Sequence, residues 1–178
     1  LEDAYRGARR AISLRHSELG KDGRPQLRER TLNVQIPKGV RQGQNIRLAG
    51  QGGTGMGEGK AGDLYLEVEF RPHALYRVEG RDVKLELPIA PWEAALGATI
   101  KVPTPTGIVD LKIPEGSISS QKLRLKARGI PGKPAGDFYV SLKIVLPPAN
   151  NEQATALYQQ MQDKMYFNPR SALGVAIK

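Results

Sequence analysis

Three features of the 178-residue sequence predict an all-β protein: two tandem, similar β-sandwich domains with short helical turns, plus a C-terminal helix. Apolar residues recur at every second position, turn-forming sequences punctuate them at short intervals, and the first half is repeated in the second.

The period-two stretches are Leu32 to Ile36, Leu64 to Phe70, Val83 to Leu87, Leu123 to Leu125 and Val140 to Ile144. Successive side chains of a strand point to opposite faces, so this alternation gives each strand one apolar and one polar face. Turn chemistry separates them: Gly20-Lys21-Asp22-Gly23, Pro37-Lys38-Gly39, Glu79-Gly80-Arg81-Asp82, Pro114-Glu115-Gly116 and Pro131-Gly132-Lys133-Pro134. Two segments, Leu1 to Arg6 and Trp92 to Leu96, lack alternation and predict about one helical turn each. Near the end, Asn150 or Asn151 can cap a helix whose Ala154, Leu157, Tyr158, Met161 and Met165 form one apolar stripe. Phe167-Asn168-Pro169 is expected to stop it.

The duplication is explicit. Ile36-Pro37-Lys38-Gly39 with Gln44, Arg47, Leu48 and Gly52 returns as Ile113-Pro114-Glu115-Gly116 with Gln121, Arg124, Leu125 and Gly129, 77 residues later throughout. Gly62-Asp63-Leu64-Tyr65-Leu66 returns as Gly136-Asp137-Phe138-Tyr139-Val140, and Asp3 to Ala8 pairs with Glu93 to Ala98. Two copies are too few for a solenoid, so each is expected to close its own core. The expected division is a first sandwich over 1–82, a second over 83–149, and a helix with its tail over 150–178.

Composition excludes several chemistries. The chain has no cysteine and only His16 and His73, which removes disulfide frameworks, cysteine nucleophiles and a structural zinc site; no metal or cofactor is expected. No apolar run approaches the roughly 20 residues that span a bilayer. The opening Leu-Glu-Asp-Ala-Tyr is no basic-then-apolar leader, so the expectation is a soluble protein without a membrane partner. Gly57-Glu58-Gly59-Lys60-Ala61-Gly62 has the G-x-G-x-x-G form, but it leads into a strand pattern rather than the helix a dinucleotide requires. Glu67 and Glu69 share the solvated face of one strand, and G-x-S-x-G is absent, so no catalytic residue is nominated and no enzyme is expected.

The net charge of +9 is unevenly placed: residues 1–50 hold 11 basic and 5 acidic side chains, 51–100 hold 5 and 8, and 101–150 hold 8 and 3. Within the second basic block Lys122, Arg124, Lys126 and Arg128 alternate with apolar residues, which predicts four cations on one outer strand face able to track phosphates.

The doubled I-P-x-G with Q-x-x-R-L, the doubled G-D-[LF]-Y and Pro91-Trp92-Glu93-Ala94-Ala95-Leu96-Gly97-Ala98 together resemble the C-terminal client-binding region of zinc-less DnaJ-class co-chaperones, within them the bacterial curved-DNA-binding branch. The motifs run in order over about residues 1–148. The resemblance implies a homodimer that binds unfolded polypeptide and hands it to a DnaK-type ATPase, in the cytoplasm, with duplex DNA and a nucleoid association as the alternative and a role in stress response. It places client-binding residues at Arg10, Ile12, Leu14, Leu75 and Tyr76, and the dimer contact at Leu157, Tyr158, Met161, Met165 and Phe167. The 178 residues contain neither the family's His-Pro-Asp J-domain nor its glycine-rich linker, so client binding without ATPase stimulation is implied for them. In the family, a strand just upstream of the Leu-Glu-Asp segment also lines the groove.

Overall fold

A computed structural model describes residues 1–19, 25–53 and 60–174. The Gly20–Gly23 turn, and the Gly57–Gly59 part of the dinucleotide-like sequence, lie outside the described residues. The chain divides into two compact units, Leu1–Ile144 and Val145–Lys178.

In the first unit a short helix α1 (Glu2–Arg6) leads into the antiparallel hairpin β1 (Ala8–Leu19) and β2 (Pro25–Ile36). A second antiparallel pair follows, β3 (Asn45–Leu48) with β4 (Leu64–Glu67). The pattern then repeats: α2 (Pro91–Leu96) leads into the hairpin β7 (Ala98–Thr104) and β8 (Gly107–Ile113), and β9 (Lys122–Leu125) pairs with β10 (Phe138–Ile144). The second copy is wider, because β6 (Asp82–Ile89) pairs in parallel with β10, and β5 (Tyr76–Glu79) closes the four-stranded order β5-β6-β10-β9. The position expected to divide the sandwiches, 82/83, falls at the start of β6, just past the Gly80-Arg81 turn of this hairpin.

The duplication extends to individual hydrogen bonds. Asp63 accepts from the Arg47 guanidinium at 2.6 Å and from Gly50 N–H at 2.9 Å; Asp137 accepts from Arg124 at 2.8 Å and from Ala127 N–H at 2.7 Å. The Gln44 amide oxygen accepts from Arg41 N–H as that of Gln121 accepts from Ile118 N–H. Gly52 N–H donates to Gly62, and Gly129 N–H to Gly136. The repeated Gln, Arg, Gly and Asp are therefore a clamp that fixes the loop after β3 and the loop after β9.

The core is centred on the second copy: Val83, Ile89, Val102, Ile113, Ile130, Phe138, Val140 and Leu142 are each at most 1% exposed. Tyr5, Ala4 and Val40 of the first copy join the same cluster, so the two copies share one apolar interior. The loop that carries Arg128 to Gly136 forms the seam. Tyr5 Oη donates to Arg128 O at 3.1 Å, and Arg81 Nη1 donates to Pro131 O at 2.6 Å.

The second unit contains α3 (Glu152–Lys164), capped by Asn151, whose side chain accepts from Ala154 N–H at 2.8 Å. The helix stops three residues before the expected Phe167, because Met165 already takes an extended backbone, φ −108° and ψ 101°. A single 3-10 turn follows at Ser171–Leu173.

Candidate functional site

The β1–β2 register decides what the first hairpin offers. Arg10 pairs with Val34, Ile12 with Leu32 and Leu14 with Arg30, so these six side chains share one face. Ile12, Leu14 and Leu32 are half-buried and stand outside the core cluster, while Val34 is buried. An arginine brackets each end. Arg10 forms a bidentate pair with Asp3 at 2.8–3.0 Å, and Arg30 Nη2 donates to Gln51 O at 2.7 Å while its buried Nε has no partner. A paired guanidinium beside an apolar strip leaves that strip as the face's main open feature. The β1 strand has β2 on one side and no strand on the other among the described residues, so its N–H and C=O groups offer an edge.

Two adjoining cavities lie beside α1. One of about 580 Å³ is lined by Arg10, Ile36, Val40, Val68 and Phe70, and a second of about 520 Å³ by Phe70, Tyr76 and Val78; Leu1 and Arg71 to His73 border both. Ile12, Leu14 and Leu75 line neither. The candidate client residues therefore fall into groups: Ile12 and Leu14 on the hairpin face, Arg10 at its border with the first cavity, Tyr76 in the second cavity, and Leu75 exposed. Tyr76 is itself mostly core, edge-on to Phe138 at 5.9 Å.

His73 stands in no sequence motif, because its role depends on distant partners. Its Nδ1 accepts from Leu75 and Tyr76 N–H at 3.0 and 3.2 Å, which leaves the proton on Nε2, directed at Glu2 Oε1 at 3.1 Å. The ring stacks on Tyr76 at 4.6 Å. The Glu2 carboxyl is held below its ordinary range by its own backbone N–H, with His73 a lesser contributor. Burial pushes both the Tyr5 and Tyr76 hydroxyls above theirs.

The four candidate DNA-contacting cations do not form one row. Lys122 and Arg124 lie on β9, which ends at Leu125; Lys126 and Ala127 make a turn with Ala127 at φ +57°, so Arg128 leaves the strand. Arg124 is tied to Asp137, whereas Lys122, Lys126 and Arg128 are exposed without ion-pair partners among the described residues.

On the second unit Leu157, Met161, Met165 and Phe167 are all exposed, and Tyr158 is half-buried with its hydroxyl donating to Pro147 O at 2.6 Å.

Residues 1–147 match the family model of the DnaJ C terminal domain. The chain belongs to the DnaJ C-terminal domain family. Among DnaJ-class relatives, it is 49% identical over 174 residues to a curved DNA-binding protein of Coxiella burnetii, covering 97% of this chain and 56% of that protein. Proteins of the same name from Pseudomonas putida and Escherichia fergusonii are 47% and 49% identical over 80% and 83% of this chain, and 45% and 49% of their own. The chain thus spans about half the length of the curated relatives it matches. Among the described residues no helix is long and apolar enough to cross a membrane, and no group of three metal-ligating side chains occurs.

Proposed function

We propose that this DnaJ C-terminal region holds non-native polypeptide, as the client-binding part of a DnaJ-class co-chaperone. A client segment extends along the free edge of β1 and lays a large apolar side chain against Ile12 and Leu14. The observation that carries this reading is a contrast between the copies. Val102, the counterpart of Ile12, is fully buried in the second hairpin, while the same face of the first hairpin keeps Ile12, Leu14 and Leu32 half-open.

Strand addition satisfies backbone groups whatever the client's sequence, and one apolar contact adds selectivity without demanding a motif. One buried Leu or Phe contributes about 1.5–3 kcal/mol and each added strand hydrogen bond about 1 kcal/mol. Ordering the client offsets several kcal/mol of this, which leaves reversible binding of about micromolar strength. Delivery to a DnaK-type ATPase falls to the longer protein's J-domain, and the exposed stripe Leu157, Met161, Met165 and Phe167 joins two copies. The reading supports a cytoplasmic co-chaperone with no reaction of its own.

The test is suppression of aggregation of a denatured model protein, with particle size followed by light scattering. The parent chain is expected to suppress it, and Ile12→Ser/Leu14→Ser, folded by circular dichroism, to lose most of that effect. Equal suppression by the folded double variant would remove the hairpin face from the proposal.

A second reading, duplex-DNA binding, is favoured by the exposed unpaired cations and by the curved DNA-binding relatives.

A further inference from the structure

The two basic blocks of the sequence are far apart in the chain, yet the fold brings them to one place. Tyr5 Oη donates to Arg128 O, which sets Arg6 of α1 next to the loop that carries Arg128. Gly39, whose N–H donates to Ala4 O of α1 at 2.7 Å, packs so closely on that loop that a Cβ there would lie 2.5 Å from Pro131 O, which sets Lys38 beside the segment bearing Lys133. Arg81 anchors the loop from inside: its guanidinium donates to Pro131 O at 2.6 Å and its carbonyl accepts from Ile130 N–H at 2.8 Å. Arg6, Lys38, Arg128 and Lys133 are all exposed, and none has an ion-pair partner among the described residues. Arg10, Arg47 and Arg124, by contrast, are each held by an aspartate: Asp3, Asp63 and Asp137.

We propose that this seam between the two repeats is the surface that contacts the phosphate backbone of duplex DNA, through Arg6, Lys38, Arg128 and Lys133. The proposal rests on the DNA reading above and replaces a single strand face by a site that exists only when both copies are folded together. Four uncompensated cations on a fixed frame complement a line of phosphates. Tyr5, the aromatic that bonds to the seam loop, is buried and occupied by its bond to Arg128, so it is not free to stack an unpaired base. The contact proposed is with backbone phosphates of a duplex, which fix register and orientation on the DNA.

The experiment is a fluorescence-anisotropy titration of the intact chain with a short labelled duplex between 50 and 200 mM salt. Four phosphate contacts give a slope of log K against log salt of about −3.6. Arg6→Gln/Lys38→Gln/Arg128→Gln/Lys133→Gln should bind at least about tenfold more weakly at the low-salt end, and each single change should flatten the slope by about one. Lys112→Gln, on the β8 hairpin, should bind like the parent. If the parent binds with a steep slope and the quadruple variant does the same, the seam is overturned while the DNA reading stands. If the parent shows no salt-dependent binding, both fall. Binding of polyglutamate as tight as that of the duplex would make the partner an acidic polypeptide and overturn the proposal as well.

Discussion

The two copies of the repeat share a clamp and differ in what covers their apolar faces. Each has the Arg–Asp pair, with the same aspartate also accepting a backbone N–H of the preceding turn. In the second copy, however, β6 lies in parallel against β10, and the residues beneath are sealed: Phe138, Val140 and Leu142 are at most 1% exposed. The first copy's Leu64 and Leu66, at the positions of Phe138 and Val140, are only half-buried, and β4 has no strand beyond it among the described residues. Its hairpin is also longer, 12 residues a strand against 7, but Ile12 stands at the same strand position as the fully buried Val102, so its half-exposure comes from missing cover and not from the added length. One copy is thus sealed and the other half-open, and the same sequence motifs serve both.

The largest effect that separates the copies is expected in the core. Phe138→Ala should cost about 3–5 kcal/mol, because a fully buried ring leaves a cavity its neighbours cannot fill. Leu64→Ala at the equivalent place should cost only about 1–2 kcal/mol, since a half-covered side chain has less transfer energy to lose. Urea unfolding of both variants checks this, and equal costs would mean the first copy is as well sealed as the second.

A smaller effect sharpens the same contrast at the seam. Gly39 and Gly116 stand 77 residues apart at matching turns, with φ of +84° and +70°. An alanine pays the cost of left-handed backbone at either, about 1 kcal/mol. At Gly116 nothing lies within 4 Å of the new Cβ, whereas at Gly39 it meets the Pro131 carbonyl oxygen at 2.5 Å. Gly39→Ala should therefore cost about 2–4 kcal/mol, with Gly116→Ala near the lower figure alone. It should also weaken duplex binding if the seam aligns the two cationic segments. Indistinguishable melting temperatures for the two variants would show that the copies are not locked together there.

The repeat, the all-β class, the short helices and the C-terminal helix were legible because each rests on local pattern: period two, turn residues, an Asn cap and a 77-residue echo. The strands over Ala8–Leu19, Tyr76–Glu79 and Ala98–Ile113 were less so, since their alternation is broken by charges, by Pro103 and by Gly107, and partner strands rather than propensity hold them. Site residues that depend on tertiary neighbours were the least legible. Alternation alone put Lys122 to Arg128 on one strand, but Asp137, which accepts from Ala127 N–H, turns the chain after Leu125. The pairing of His73 with Glu2 joins residues 71 apart with no motif between them. The packing of α1 and of the Gly39 turn on the loop after β9 has no local signal either, and shows only in the contacts of Tyr5 with Arg128 and of Gly39 with Pro131.

The least perturbing comparison uses pH. The Asp63 carboxyl is held below its ordinary range by Gly50 N–H and then by Arg47, and that of Asp137 by Ala127 N–H and then by Arg124. A carboxylate with a lowered folded-state pKa adds stability that is complete above its unfolded value, near pH 4, and is lost as the pH falls through the folded value. Both clamps should therefore loosen on acidification below about pH 4, with stability falling toward low pH. Asp137→Asn and Asp63→Asn should each flatten that limb of the melting-temperature profile, since asparagine does not titrate. The effect of Asp137→Asn should be the greater. Its side chain is less exposed, 14% against 25%, and its own N–H is bound to Asp82 Oδ1 at 2.8 Å, which ties the clamp to the four-stranded sheet. Equal flattening by the two variants would show that the clamps act alike, and that the difference between the copies lies in their apolar cover alone.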